Sequence, residues 1–210
     1  MKVIIFGAGG MLGNTLIKTI SQDGNYEVYG TLRKDINYFE KNNSIKIFKN
    51  VACERINEWR EILMQIKPDI TINCIGIVKQ LKESNDPQTS IFTNSLFPHQ
   101  LHNVCREIKS KLIHISTDCV FSGRRGLYSE NDEPDSSDLY GLSKLLGEIN
   151  SPNSLTIRTS IIGHSINSNH GLIDWFLKQN VKIKGFRKAI FSGLTTLELS
   201  KVILKYVLTN

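Results

Sequence analysis

A doubly wound parallel α/β sheet is the fold class this sequence predicts, and three observations predict it. Short apolar runs alternate along the chain with longer stretches of helical period. The first run, Lys2-Val3-Ile4-Ile5-Phe6, leads straight into a glycine-rich turn that opens a helix. The 210 residues, 40% hydrophobic and 22% charged, suffice for one full-sized core with a small appendage, and no repeat or low-complexity linker divides them.

The strand-like runs fall at residues 2–6, 27–31, 45–48, 70–75, 111–116 and 155–159. Between them, helical periodicity predicts helices over 11–21, 56–66, 87–110, 138–150 and 171–178. Pro98 lies inside the third of these, and its missing N–H predicts a kink or break there. A last helix over 197–208 has a clear apolar face.

Composition excludes several function classes. The net charge of +6 is a mild excess spread along the chain, which suits anionic ligands. No block of five or six basic residues and no basic helix interleaved with aromatics occurs, so nucleic acid is not an expected partner. The N-terminal apolar run is too short for a signal peptide, and nothing approaches the roughly 18 apolar residues that span a bilayer. A cytoplasmic protein without a membrane partner is expected. Cys53, Cys74, Cys105 and Cys119 form no CxxC pair and read as reduced, mostly buried thiols. His99, His102, His164 and His170 show no metal spacing, so no metal is expected.

Gly7-Ala8-Gly9-Gly10-Met11-Leu12-Gly13 follows a strand and opens a helix. Gly7 would permit the tight turn, Gly10 a close approach of pyrophosphate, and Gly13 close packing of helix on strand. With Gly9, Met11 and Leu12 these form the candidate cofactor turn, because a helix N-terminus offers free N–H groups to phosphate. The spacing is Gly-x-x-Gly-x-x-Gly, and a tight connection without ligand is the competing reading. At the end of the second strand the chain reads Tyr29-Gly30-Thr31-Leu32-Arg33-Lys34, with no carboxylate before Asp35. Arg33 and Lys34 could pair with a ribose 2′-phosphate, which favours NADP(H) over NAD(H). An exposed basic turn would look the same.

Tyr140 and Lys144 stand four residues apart, about one helical turn, so they share a face. An ammonium beside a phenol stabilises phenolate, and the phenol can then hand a proton to a nascent alkoxide. The pair alone recurs by chance in many helices. The preceding strand adds weight: Lys111-Leu112-Ile113-His114-Ile115-Ser116-Thr117-Asp118 ends in small hydroxyl residues, where open α/β sheets bind ligands. Thr117 would there hydrogen-bond and polarise a substrate carbonyl. Simple turn chemistry would also place Thr117 and Asp118 at a strand end.

With Thr117, Tyr140 and Lys144 in this order, the chain resembles the extended short-chain dehydrogenase/reductase superfamily, most of all its dTDP-4-dehydrorhamnose reductase branch. The resemblance covers nearly all of the chain. Ser116-Thr117-Asp118-Cys119-Val120-Phe121-Ser122-Gly123 is its most branch-specific segment, followed by the acidic loop 128–134 and Tyr140-Gly141-Leu142-Ser143-Lys144. It implies a Rossmann fold with Thr117, Tyr140 and Lys144 as catalytic triad. Gly7, Gly10, Gly13 and the fourth strand's end, Asn73, Cys74, Ile75 and Gly76, would contact the cofactor. Asn94 matches the helix asparagine that supports the lysine through water. The implied activity is reduction of a 4-keto-6-deoxy nucleotide sugar with NADP(H), for surface polysaccharide synthesis.

Two departures bear on the sugar. Ile161 follows Arg158-Thr159-Ser160 where these enzymes place a tryptophan, and Cys74-Ile75-Gly76-Ile77-Val78-Lys79-Gln80 replaces a small-residue run. Members of the superfamily also continue further. Residues 1–160 therefore read as the dinucleotide-binding domain, and 161–210 as an incomplete substrate-binding portion interleaved with its last elements. A homodimer is compatible with this reading. Two alternatives stand beside it. One is an epimerase or dehydratase that keeps its NAD, although Cys119 after Asp118 does not suit a dehydratase. The other is a non-catalytic cofactor-binding subunit, like the regulatory subunit of methionine adenosyltransferase.

Other residues read as structural. Lys182, Lys184, Arg187 and Lys188 suggest a solvated basic strand, with a substrate diphosphate as the alternative partner. His114 reads as a packed, hydrogen-bonded histidine, and Trp59 and Trp175 as packing residues. Glu130, Asp132, Glu133, Asp135 and Asp138 read as a solvated loop leading into the Tyr140 helix, where negative charge is favourable.

Overall fold

The computed structural model describes residues 1–34, 39, 44–79, 82–164, 166 and 171–209; Asp35, Gln80 and His170 lie outside them. Six strands form one sheet: β1 (Lys2–Phe6), β2 (Glu27–Thr31), β3 (Ile45–Phe48), β4 (Ile70–Asn73), β5 (Lys111–Ile115) and β6 (Ser154–Ile157). All pair in parallel, in the order β3-β2-β1-β4-β5-β6. The order reverses between β1 and β4, and a doubly wound sheet opens its ligand crevice at the carboxyl ends there.

Parallel sheets need cover on both faces, and two apolar layers provide it. On one face α1 (Met11–Ser21) and α7 (Thr196–Val202) bury Leu16, Ile17, Ile20 and Leu199 against Val3, Ile5 and Ile72. On the other, α2 (Ile56–Ile66) and α4 (Phe97–Glu107) bury Trp59, Leu63, Phe97 and Leu101 against Ile4 and Phe6. Trp59 meets Phe6 and Phe97 edge-on, and its indole N–H donates to the Cys53 carbonyl (3.1 Å). It is a core residue, whereas Trp175 is 46% exposed.

The expected bounds of β1, β2, β3, α1 and α2 match the structure. The helix over 87–110 does not break at Pro98. α3 (Pro87–Ser90) passes through a π-helical stretch, Ile91–Leu96, into α4. Pro98 falls in the first turn of α4, where its missing N–H costs nothing, because the π stretch has already shifted the bonding register, with Phe97 N–H donating to the Phe92 carbonyl.

β4, β5 and β6 end at Asn73, Ile115 and Ile157, earlier than 75, 116 and 159. Cys74, Ile75, Ser116, Thr117, Arg158 and Thr159 thus lie beyond the strands, at the crevice. α5 (Leu139–Leu146) is shorter than the expected 138–150, capped by Asp138 and ended by Gly147. Two further two-residue strands, β7 (Ile161–Ile162) and β8 (Leu194–Thr195), pair in parallel outside the main sheet. Between them lies α6 (Leu172–Leu177), and Lys182, Lys184, Arg187 and Lys188 stand exposed on coil, not on a strand. After α7 a π turn, Ile203–Val207, completes the segment expected at 197–208. The four cysteines are free thiols. Among the described residues no helix is long and apolar enough to cross a membrane.

Candidate active site

The glycine turn is set by backbone crowding. Gly7 has φ +81°, and a side chain there would lie 3.1 Å from Ile75 Cγ1 and 3.2 Å from the Cys74 carbonyl carbon. A Cβ on Gly13 would sit 2.2 Å from the Gly7 carbonyl oxygen, so only glycine lets α1 start this close to β1. Gly10 caps α1 without a side-chain bond, and the first turn carries no acidic residue. The N–H groups of Met11, Leu12 and Gly13 have no intrahelical acceptor and form the positive end of the helix dipole. That donor set fits a pyrophosphate. Ala8 N–H donates to the Thr31 carbonyl (3.0 Å), tying the turn to the end of β2, where Arg33 and Lys34 follow, both exposed.

The carboxyl end of β5 carries Thr117, buried at 5% exposure. Its hydroxyl accepts from Cys119 N–H (3.1 Å) and donates to Asp118 Oδ1 (3.3 Å). α5 approaches this turn through Gly141, whose added Cβ would lie 2.4 Å from the Cys119 carbonyl oxygen and 2.1 Å from Ser136 Oγ. The close approach brings Tyr140 to Thr117: burial raises the phenol's pKa, and a hydrogen bond with Thr117 works the other way. One turn on, Lys144 is 4% exposed, and its ammonium donates to the Ile115 carbonyl (2.8 Å). Burial pulls its pKa down to about 8, against the opposing pull of Glu148 and then Cys74. Among the described residues no hydrogen bond joins Lys144 to Tyr140.

The end of β4 behaves less simply than a row of ligand contacts. Asn73 turns inward, bonding His114 Nδ1 (3.1 Å) and accepting from Ile75 N–H (3.0 Å). Its side chain is fully buried and braces the strand end. His114 is likewise buried, with Nε2 unpartnered, and burial holds its pKa well below the usual value, so it is neutral. Cys74 and Ile75 back the Gly7 turn, and a Cβ on Gly76 would lie 3.3 Å from Asn94 Oδ1 and 3.6 Å from Lys144 Nζ. Asn94 sits on the π stretch. It accepts from Ile77 N–H (2.8 Å) and donates to the Ile77 carbonyl (3.2 Å) and Ser143 Oγ (3.1 Å). Its direct contacts thus clamp the loop after β4 to α5.

Three residues of the site escaped sequence reasoning. Glu148 accepts from Ser116 Oγ (2.7 Å) and, from both sides of its carboxylate, from Arg158 Nε (3.0 Å) and Nη2 (2.8 Å). The pairings span 32 and 10 residues. The one signal for them is that Glu148 follows Lys144 at helical spacing. The acidic loop is bonded, not merely solvated. Asp135 accepts from Ser122 N–H (2.6 Å), Asp132 from Ser129 N–H (2.6 Å) and Arg125 (2.6 Å). Asp138 caps α5 through Gly141 N–H (2.8 Å) and pairs with Lys79 (2.7 Å).

A parallel sheet of this order, with a glycine turn after β1 and Thr117, Tyr140 and Lys144 grouped at the end of β5, defines a Rossmann-type protein of the extended short-chain dehydrogenase/reductase class. Within that class, the chain belongs to the RmlD substrate binding domain family, which it matches over residues 1–178. It is 31% identical over 168 residues to the probable low-salt glycan biosynthesis reductase Agl14 of Haloferax volcanii, covering 77% of this chain and 54% of that protein. A hypothetical dTDP-4-dehydrorhamnose reductase from Sulfolobus tokodaii superposes with a TM-score of 0.81 at 28% identity, over 97% of this chain and 71% of that one. The dTDP-4-dehydrorhamnose reductase of Bacillus anthracis, solved in complex with NADP, gives a TM-score of 0.56 at 25% identity, over 70% and 47%. The chain spans about half the length of the curated relatives it matches.

Proposed function

We propose that this chain forms the cofactor-binding and proton-transfer part of an NADP(H)-dependent reductase of a 4-keto-6-deoxy nucleotide sugar, acting in the cytoplasm in surface glycan synthesis. The observation that carries the reading is the close packing of α5, with Tyr140 and the buried Lys144, on the turn after β5 that bears Thr117. The NADP named for the Bacillus anthracis relative, and the glycan role named for Agl14, support the cofactor and the pathway class.

In this reading the amides of Met11, Leu12 and Gly13 hold the pyrophosphate, and Arg33 and Lys34 the 2′-phosphate. The backbone from Asn73 to Gly76 borders the cofactor, with Asn94 fixing that loop and supporting Lys144 through water. When bound, the nicotinamide supplies hydride to the ketone carbon. Thr117 orients and polarises the ketone oxygen, and Tyr140 gives it a proton. Lys144 lowers the cost of the phenolate that remains, which counters the upward push of burial on the phenol. Residues 1–160 serve as the dinucleotide domain and 161–210 as part of the sugar pocket. A homodimer would bury the exposed Ile91, Leu96, Leu142 and Leu146 on the outer side of the π stretch and α5.

The test is oxidation of NADPH and of NADH with a panel of dTDP-4-keto-6-deoxysugars, by wild type and Tyr140→Phe. Loss of the acid should cost on the order of 100-fold or more in kcat. Equal turnover by the two proteins would remove Tyr140 from the reaction.

A further inference from the structure

The Lys144 ammonium is almost fully buried and makes its bond to a backbone carbonyl, not to a counter-ion. Such a charge has to be held by its surroundings or the proton leaves. Four elements pack around it. From the end of β4 comes Cys74, whose thiol burial pushes up to about 12, so it is neutral. From β5 comes His114, buried and neutral. The π stretch contributes Asn94, which is uncharged and already bonded to Ile77 and Ser143. On α5 itself stands the phenol of Tyr140, and just past the end of the helix, four residues after Lys144, comes the carboxylate of Glu148. Of these groups Glu148 is the anion, and the Arg158 guanidinium that pairs with it (2.8 Å) offsets part of its charge.

Glu148 is also fixed in place. Ser116, the residue before Thr117, donates to one carboxylate oxygen (2.7 Å), and Arg158 at the end of β6 grips both. Arg158 is itself anchored, donating to the Glu130 carbonyl (3.4 Å) with its guanidinium 5.2 Å from the centre of the Phe121 ring. One carboxylate thus joins the strand end that bears Thr117, the turn that ends the Tyr140–Lys144 helix, and the neighbouring strand end.

We propose that Glu148 is a positioning residue of the active site, which keeps Lys144 charged and locks the Thr117 strand end to α5. The proposal rests on the roles given above to Lys144 and Thr117. Glu148 acts through Lys144 and Ser116 and need not touch substrate.

The distinguishing measurement is the titration of Lys144 itself, read by NMR on protein carrying 13C-labelled lysine, with the resonance assigned by Lys144→Arg. Wild type should titrate near pH 8, where burial and Glu148 balance. Glu148→Gln should move that titration down by about one unit. The alkaline limb of kcat should follow, a loss on the order of fivefold at pH 8. Glu148→Asp, which keeps the charge, should restore most of the Lys144 titration. Ser116→Ala, which keeps Glu148 and its charge, should leave the titration in place and lower kcat at all pH values. An unchanged Lys144 titration in a folded Glu148→Gln protein would overturn the proposal, whatever happened to activity. A titration that moves while the pH–rate profile stays put would uphold Glu148's hold on Lys144 and sink the catalytic role of Lys144 instead. If Glu148→Gln does not fold, Glu148→Asp and Ser116→Ala decide: an Asp protein with Lys144 displaced as far as about one unit, or an Ala protein with wild-type kcat, overturns it.

Discussion

Lys144 shows how a residue proposed to take part in the reaction opposes the stability of the fold around it. Its pKa is about 8 in the folded protein, against an ordinary value of 10.5, with burial as the main cause. Below pH 8 both folded and unfolded chains carry the proton, and the folded state bears the full penalty of a buried charge, on the order of 3 kcal/mol. Between about pH 8 and 10.5 the unfolded chain still binds a proton that the folded chain has released, so stability rises with pH through that window. Lys144→Met should therefore stabilise the protein at pH 7, by about 1–2 kcal/mol once the lost bond to Ile115 is deducted. The same variant should lose the proposed reductase activity. Urea unfolding of both proteins at pH 7 and pH 10.5 checks this: the gain should shrink towards zero at the higher pH. A Met variant less stable at pH 7 would mean that the ammonium is not under strain. Tyr140 and Lys144 were legible as a pair from their spacing, but the burial that creates this conflict was not.

At the scale of elements, two helices are held at their working distances by missing side chains. α1 starts against the Gly7 carbonyl because Gly13 has no Cβ, and α5 rests on the Cys119 carbonyl because Gly141 has none. Both obstacles are backbone, so neither can swing aside. Gly13→Ala should push α1 away from the phosphate site, weakening NADPH binding about tenfold or more and costing roughly 1–3 kcal/mol of stability. Gly141→Ala should instead move Tyr140 from Thr117, lowering kcat on the order of 100-fold with NADPH affinity nearly kept. Isothermal titration and steady-state kinetics separate the two, and a Gly141→Ala protein that loses cofactor affinity but keeps kcat would contradict this division. Gly13 was readable from the sequence, since the turn motif announces the close approach. Gly141 was not, because its obstacle lies 22 residues away at Cys119. The π stretch before Pro98 was equally hidden: the proline is visible, but the wider register that accommodates it, and that aims Asn94 at Ile77, depends on packing against α5.

At the scale of the whole molecule, residues beyond 160 pack back on the first helix of the sheet. The alternation of apolar runs and helical stretches made the six-stranded sheet readable in order and nearly to the residue. It could not show that the last helix returns to cover the first. Leu199 and Ile203 pack with Leu16 and Ile17 of α1, Leu208 joins the same cluster, and Thr15 Oγ1 meets Thr196 Oγ1 at 3.3 Å. All three apolar side chains are at least 97% buried. Each contributes about 1.5–3 kcal/mol by burial, and the sum rivals the 5–15 kcal/mol that holds a typical domain together. α6, by contrast, buries none of its residues. A fragment of residues 1–160 should therefore fail to form the dinucleotide fold, although it contains the glycine turn, Thr117, Tyr140 and Lys144. Its thermal melt should lack a cooperative transition and its near-UV circular dichroism should be flat. In the full chain, Leu199→Ala and Ile203→Ala should each cost about 2–5 kcal/mol, which would show that the loss comes from this layer. A fragment that melts cooperatively and binds NADPH would mean that α1 and the sheet sustain the cofactor site unaided, and that α7 belongs to the sugar-binding portion alone.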